Sequence, residues 1–117
     1  MPNYRLTEID RLLADYCHAI SSPRRNLIIR ILGEGERTVS QLVELTGFSI
    51  SNVSQHLKVL RDKRIVAVRR EGAYATYSVA QPQLLNAMET LRDAIIEGIS
   101  VNGVLPPGLD VVADGGG

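Results

Sequence analysis

The sequence predicts a mainly α-helical fold with one small antiparallel β-hairpin, which places it in the α+β class. Apolar residues recur at helical spacing along most of the 117 residues, and only "IVAVRR" and "AYATYSV" are rich in strand-forming residues. With no Trp and one Phe, the core has to be aliphatic, as it is in packed helices. The chain has the length of one domain, and a domain this small gains burial by pairing with a second copy.

Start and stop signals define the first four helices. Thr7 opens a capping-box pattern, and the helix behind it is expected to run to about Ile20. Ser22 before a proline caps a second helix, which we expect to end at a left-handed Gly33. Thr38 caps "VSQLVELT", and after the turn "GFS" a serine caps "ISNVSQHLKVLRDK". Two short helices joined by so tight a turn predict a helix-turn-helix.

The two β-rich runs follow directly and are joined at Glu71 and Gly72, so they predict a wing. Behind them, apolar residues at helical spacing from Leu84 to Ile99 predict a last helix. The first and last helices both carry apolar stripes that a small core cannot cover, so we expect them to form an isologous homodimer. Residues 1–102 would then be a winged helix-turn-helix domain with dimerisation helices, and the aperiodic residues 103–117 a flexible tail.

Charge, cysteine content and hydropathy indicate where in the cell the protein is located. The formal net charge is zero, but basic residues dominate positions 58–70 and acidic residues dominate positions 81–117. The chain has a single cysteine, its N-terminus lacks a signal-peptide apolar core, and it contains no apolar run of membrane-spanning length. These features predict a cytoplasmic protein that makes no membrane contact.

The second helix of the helix-turn-helix predicts contact with double-stranded DNA. Projected at about 100° per residue, it places Val53, Leu57 and Leu60 on a buried face and small polar residues on the exposed N-terminal half. Such a helix can enter a major groove closely and exchange hydrogen bonds with base edges and phosphates. We expect DNA contacts from Ser51, Asn52, Ser54, Gln55, Lys58, Arg61, Arg69 and Arg70.

Some of these residues are expected to contact bases and others the DNA backbone. Gln55 suits a bidentate contact to an adenine, and the two serines suit a base edge or a phosphate. Lys58 and Arg61 lie where the helix leaves the groove, so we expect them to neutralise the backbone. Because strand residues alternate between faces, only one of Arg69 and Arg70 should face DNA, and the sequence does not say which.

A rival interpretation is a winged helix that binds a protein partner, which the neutral net charge favours. His56 is expected to be a half-buried histidine that hydrogen-bonds a neighbour. Cys17 and His18 project to different faces of the first helix, so they cannot form one catalytic pair, and we expect no enzyme activity. An intersubunit disulfide through Cys17 is the one redox hypothesis that the sequence permits.

The stretches "AISSPRRNLIIRIL" and "TVSQLVELTGFSISNVSQHLKVLRDKRIVAVRREGAYATYSV" resemble the ArsR/SmtB family of bacterial winged-helix repressors over residues 20–79. The resemblance implies a homodimer that binds an inverted-repeat operator and releases it when an effector binds. It also implies that Ser51, Ser54, Gln55 and the wing arginines contact DNA.

The sensing residues of that family are absent from the sequence. The stretch "RTVSQL" has no cysteine where metal-sensing members carry a pair, and "NAMETLRDAIIEGI" has no histidine. Glu89, Asp93 and Glu97 recur at helical spacing, but carboxylates alone are poor ligands for soft metals. We therefore expect no metal site and no cofactor. Regulation would come from an unidentified small molecule in the dimer interface, from oxidation of Cys17 or from changes in the abundance of the protein.

Overall fold

The computed structural model describes residues 3–102, with side chains to residue 99. Residues 1, 2 and the predicted tail 103–117 lie outside the described residues. The helices and strands follow in the order α1 (Glu8–Ala19), α2 (Pro23–Glu34), β1 (Arg37–Thr38), α3 (Val39–Thr46), α4 (Ile50–Asp62), β2 (Val66–Glu71), β3 (Tyr74–Val79) and α5 (Pro82–Asn102).

The predicted N-caps are confirmed. At Thr7 the backbone N–H donates to Asp10 Oδ2 at 2.9 Å, which completes the capping box. This hydrogen bond lowers the pKa of Asp10 below its ordinary value. Thr38 forms a second capping box with Gln41, and Gly47 ends α3 in the left-handed conformation at φ 77°. These caps satisfy the backbone groups that a helix leaves unpaired at its ends.

Two predicted boundaries were wrong. α2 does not end at Gly33 but continues to Glu34, and its C-cap is Gly35, whose φ of 161° is extended rather than left-handed. The wing turn does not fall at Glu71 and Gly72, because Glu71 still pairs with Tyr74 in the ladder. The turn therefore consists of Gly72 and its successor, and Gly72 takes a left-handed φ of 60° that a glycine adopts without strain.

The sheet has three strands, whereas the sequence predicted only the hairpin. β1 pairs antiparallel with β3, with Arg37 opposite Tyr77 and Thr38 opposite Thr76, so the strand order is β1-β3-β2. Two residues are too few to show the alternation by which a strand is recognised. β1 leads directly into α3, and the sheet thus ties the wing to the start of the helix-turn-helix.

The core lies behind α4 and is aliphatic, as predicted. Ile28 and Ile29 of α2, Leu42 of α3, and Leu57 and Leu60 of α4 are at most 1% exposed. Burial of such side chains stabilises the fold by about 1.5–3 kcal/mol each. The core therefore holds α4 by one face and leaves its opposite face to solvent.

α5 belongs to a second compact unit, which begins at Gln83. It carries Leu91 and Ile95 exposed to solvent. None of the described helices is both long enough and apolar enough to cross a membrane.

Candidate nucleic-acid interface

The buried and exposed faces of α4 are those that the helical projection predicted. The hydroxyl of Ser49 accepts the N–H of Asn52 at 3.0 Å, and this cap starts the helix directly after the left-handed Gly47. Val53 is fully buried, as are the two leucines one and two turns further on. The side chains predicted to meet DNA from the open face of this helix are all exposed, and they are Ser51, Ser54, Gln55, Lys58 and Arg61.

Asn52 lies on the flank of α4 that faces α2. Its Oδ1 accepts a hydrogen bond from Arg24 Nη1 at 3.1 Å, and it is half-buried. The guanidinium of Arg24 also lies 4.7 Å from the centre of the Phe48 ring, which is a cation–π contact. One lone pair of the Asn52 amide oxygen is thus engaged within the protein, and its NH₂ group makes no hydrogen bond among the described residues. Sequence reasoning missed Arg24 because only the fold brings "SPRR" beside α4.

His56 contacts a neighbouring side chain, as predicted. It is half-buried, and its Nδ1 lies 3.4 Å from Nη1 of Arg25. Burial lowers the pKa of His56, and the charges of Arg25 and Arg24 lower it further. Arg25 also donates to the backbone carbonyls of Ala19 and His18. The contact therefore connects α4 to the junction between α1 and α2.

The cations at the end of α4 differ in their surroundings. Lys58 Nζ pairs with Asp62 Oδ2 at 3.1 Å across one exposed helical turn, an interaction of small free energy. Arg61 has no ion pair within residues 3–99. Its charge is therefore available to an external anion.

The two wing arginines lie on opposite faces of the sheet. Arg69 pairs with Glu36 at 2.6 Å and with Glu71 at 2.7 Å, and these two carboxylates, Glu71 first, raise its pKa. Arg70 alternates with it and shares the face that carries Val66 and Val68, with no ion pair in the described part of the chain. Arg69 is held by internal partners, and Arg70 is the wing cation whose charge is not neutralised.

A cleft of about 240 Å³ separates α4 from the sheet. It is lined by Ser54, Leu57, Lys58, Arg61 and Tyr77. Tyr77 was not among the predicted site residues. The signal that could have found it is its place in "YATYSV", on the strand that lies between β1 and β2.

The remaining candidates do not assemble into a site. Cys17 is exposed on α1, and Glu89, Asp93 and Glu97 are exposed on α5. Within residues 3–99, no three His, Cys, Asp or Glu side chains converge as metal ligands would. The redox hypothesis for Cys17 stays a prediction.

Comparison with known protein families finds a match over residues 22–68 to the model of bacterial regulatory proteins of the arsR family. The uncharacterized HTH-type transcriptional regulator Rv0081 of Mycobacterium tuberculosis is 33% identical over 91 residues, or 77% of this chain and 80% of that protein. Its crystal structure superposes with a TM-score of 0.76 at 30% identity and covers 85% of this chain and 100% of that chain.

Two further proteins extend the comparison. The probable mercury resistance operon repressor of Streptomyces lividans is 34% identical over 79 residues, which is 68% of this chain and 63% of that protein. A homodimeric winged helix-turn-helix DNA-binding domain, Mb0332 of Mycobacterium bovis, has a TM-score of 0.72 and covers 83% of this chain and 92% of that chain. At 24% identity, it shows that the fold is shared.

Proposed function

Since the chain belongs to the ArsR family of bacterial regulatory proteins and is a DNA-binding transcriptional regulator rather than an enzyme, we propose that it acts as a homodimeric repressor of an inverted-repeat operator. The observation that carries the proposal is the exposed face of α4. Small polar side chains occupy its N-terminal half, cations occupy its C-terminal half, and its opposite face is fully buried. A helix of this kind can enter a major groove without disturbing its own core.

We assign base reading to the first two turns of α4. Gln55 is exposed and makes no side-chain hydrogen bond among the described residues, so both ends of its amide can meet an adenine. Ser51 is exposed in the same way and suits a base edge or a phosphate. Asn52 has both N–H donors free, and Arg24 takes one of the two lone pairs of its oxygen, so an acceptor on DNA is favoured.

Backbone contacts fall to the cations. Lys58 and Arg61 neutralise phosphates at the end of α4, and Arg70 does so from the wing. Arg69 contributes less, because two carboxylates already hold its guanidinium. Of the two wing arginines that the sequence left open, the proposal therefore assigns DNA contact to Arg70.

The first helix supports dimerisation. Its residues and the segment before it expose an apolar surface, in which Leu6 is 77%, Ile9 69%, Leu12 49% and Leu13 62% accessible in the single chain. Such a stripe is costly in water, and a second copy of α1 would cover it. On α5, Leu91 and Ile95 are exposed and are assigned the same role.

Regulation is assigned to a process other than the binding of a soft metal. Mercury, copper and cadmium prefer thiolate ligands, and the chain has a single cysteine. The similarity to a mercury resistance operon repressor therefore does not extend here to the chemistry that would bind the metal. An unidentified small molecule, oxidation of Cys17 or a change in the abundance of the protein would then regulate DNA binding.

The test is selection of DNA from genomic fragments, followed by measurement of binding against salt concentration. The expected result is enrichment of one operator and a linear fall of log affinity with log salt, with a slope that reports the number of neutralised phosphates. Failure to retain any duplex at low salt would contradict the proposal and favour a winged helix that binds a protein partner.

A further inference from the structure

The cleft between α4 and the sheet gathers hydrogen-bond donors that the protein does not use itself. Ser54, Lys58 and Arg61 line it from α4, and Tyr77 lines it from β3. Within residues 3–99, the side chains of Ser54, Arg61 and Tyr77 make no hydrogen bond, and Lys58 is engaged only by its exposed pair with Asp62. Three donors without internal partners, beside a lysine that is held only by an exposed ion pair, leave this cleft able to bind an external acceptor.

The side chains that line the cleft favour an anion as the ligand. Two of the lining side chains are cations, two carry hydroxyl groups, and none is a carboxylate. The cleft is open to solvent, and its volume of about 240 Å³ leaves room for a phosphate group. Leu57 forms the apolar wall of the cleft.

The position of the cleft indicates which phosphate this is. Ser54 is one turn from Ile50, the first residue of α4, and so lies close to the end of the helix that enters the groove. Tyr77 is in register with Val68, on the face of the sheet that also carries Arg70. The cleft therefore lies between the helix and the wing that are both proposed to contact DNA.

We propose that this cleft binds one phosphodiester group of the operator backbone, held by Lys58, Arg61 and the hydroxyl groups of Ser54 and Tyr77. The inference rests on the DNA-binding mode proposed above. It makes Tyr77 a positioning residue, because a phosphate held from α4 and β3 at once fixes the helix and the wing in one register on the duplex. Since Tyr77 is neutral, it adds affinity without releasing a counterion.

The first experiment removes single hydroxyl groups. Tyr77→Phe is expected to weaken binding to the operator and to random duplex by the same factor, between about two- and tenfold, as for loss of one hydrogen bond. Its salt slope should equal that of the wild type, whereas Arg61→Ala should lower the slope by about one. Tyr74→Phe is the matched control, because Tyr74 is 72% exposed on the same strand and does not line the cleft. Thermal unfolding checks that both variants fold alike.

The second experiment locates the phosphate. Each backbone phosphate of the operator is replaced in turn by a neutral methylphosphonate, and binding is measured for the wild type, Tyr77→Phe and Tyr74→Phe. At one position per half-site, the replacement and Tyr77→Phe should together weaken binding by less than the product of their separate effects, because they remove the same hydrogen bond, while Lys58 and Arg61 still lose the charge. In Tyr74→Phe the two effects should multiply. If the losses multiply at every position, the cleft holds no DNA phosphate, although the protein still binds its operator.

Inorganic phosphate resembles the phosphodiester group of DNA and is the alternative ligand for the cleft. Inorganic phosphate at constant ionic strength should compete with DNA no better than chloride does, because one anion lacks the rest of the operator. Competition at millimolar phosphate that Tyr77→Phe abolishes and Tyr74→Phe retains would overturn the proposal in favour of a free-anion site. Absence of duplex binding by the wild type would instead contradict the proposed function itself.

Discussion

At the scale of single residues, the structure separates side chains that are free to meet DNA from side chains that the protein already uses. Gln55, Arg61 and Arg70 have no partner within the described residues. Arg69 and Asn52 are held by contacts with residues far away in sequence, at Glu36 and Arg24. This difference predicts which substitutions affect recognition.

Gln55→Ala should weaken operator binding by about 1–3 kcal/mol and leave binding to random duplex nearly unchanged, because a bidentate base contact is lost. Arg70→Ala should weaken both alike and lower the salt slope by about one, because it loses a phosphate contact. Arg69→Ala is the matched control and should have the smaller effect. Fluorescence titration on both duplexes measures this, and equal losses on both for Gln55→Ala would remove it from base reading.

The lowered pKa of His56 should make the free energy of unfolding depend on pH. Its pKa is lowered in the folded state, so the unfolded state binds the proton first as the pH falls. The free energy of unfolding should therefore be constant above the ordinary pKa of 6.5 and decline as the pH falls below it. In urea titrations at a series of pH values, His56→Gln should flatten this decline and His18→Gln should retain it. An unchanged decline in His56→Gln would contradict the assignment.

At the scale of elements, helix N-caps and helical projection were predictable, whereas the C-terminal end of α2 and the contacts between elements were not. The cap at Ser49 and the exposed face of α4 follow from local spacing, which depends only on neighbours in sequence. The strand β1 was missed because its two residues are defined by pairing with β3. The contact of Arg25 with His56 spans 31 residues, and only the tertiary structure brings such a pair together.

The cap and the reading face of α4 should respond differently to the same change. Ser49→Ala removes the acceptor for the N–H of Asn52 and should lower the free energy of unfolding by about 0.5–2 kcal/mol. Ser51→Ala, two residues later and exposed, should change stability by less than about 0.5 kcal/mol but weaken operator binding. Denaturant unfolding and DNA titration on both variants test this, and a stable Ser49→Ala would show that its cap is unimportant.

At the scale of the whole molecule, binding to an inverted repeat requires two chains. Ile9→Asp with Leu13→Asp places charges on the exposed stripe of α1 and should convert a dimer into a monomer without unfolding it, because both side chains are exposed in the single chain. Leu45→Asp is the control, since Leu45 is 57% exposed on α3, outside that stripe. Sedimentation equilibrium distinguishes the two states, and a wild type that is already monomeric would contradict the dimer.

Hydroxyl-radical footprinting of the selected operator on both strands tests the central claim most directly, namely that two copies of α4 and the wing read an inverted repeat. The predicted result is a pair of protected regions related by a dyad, with centres about 34–36 Å, one duplex turn, or a small multiple apart. A single protected region without dyad symmetry, on an operator that the protein binds specifically, would contradict it.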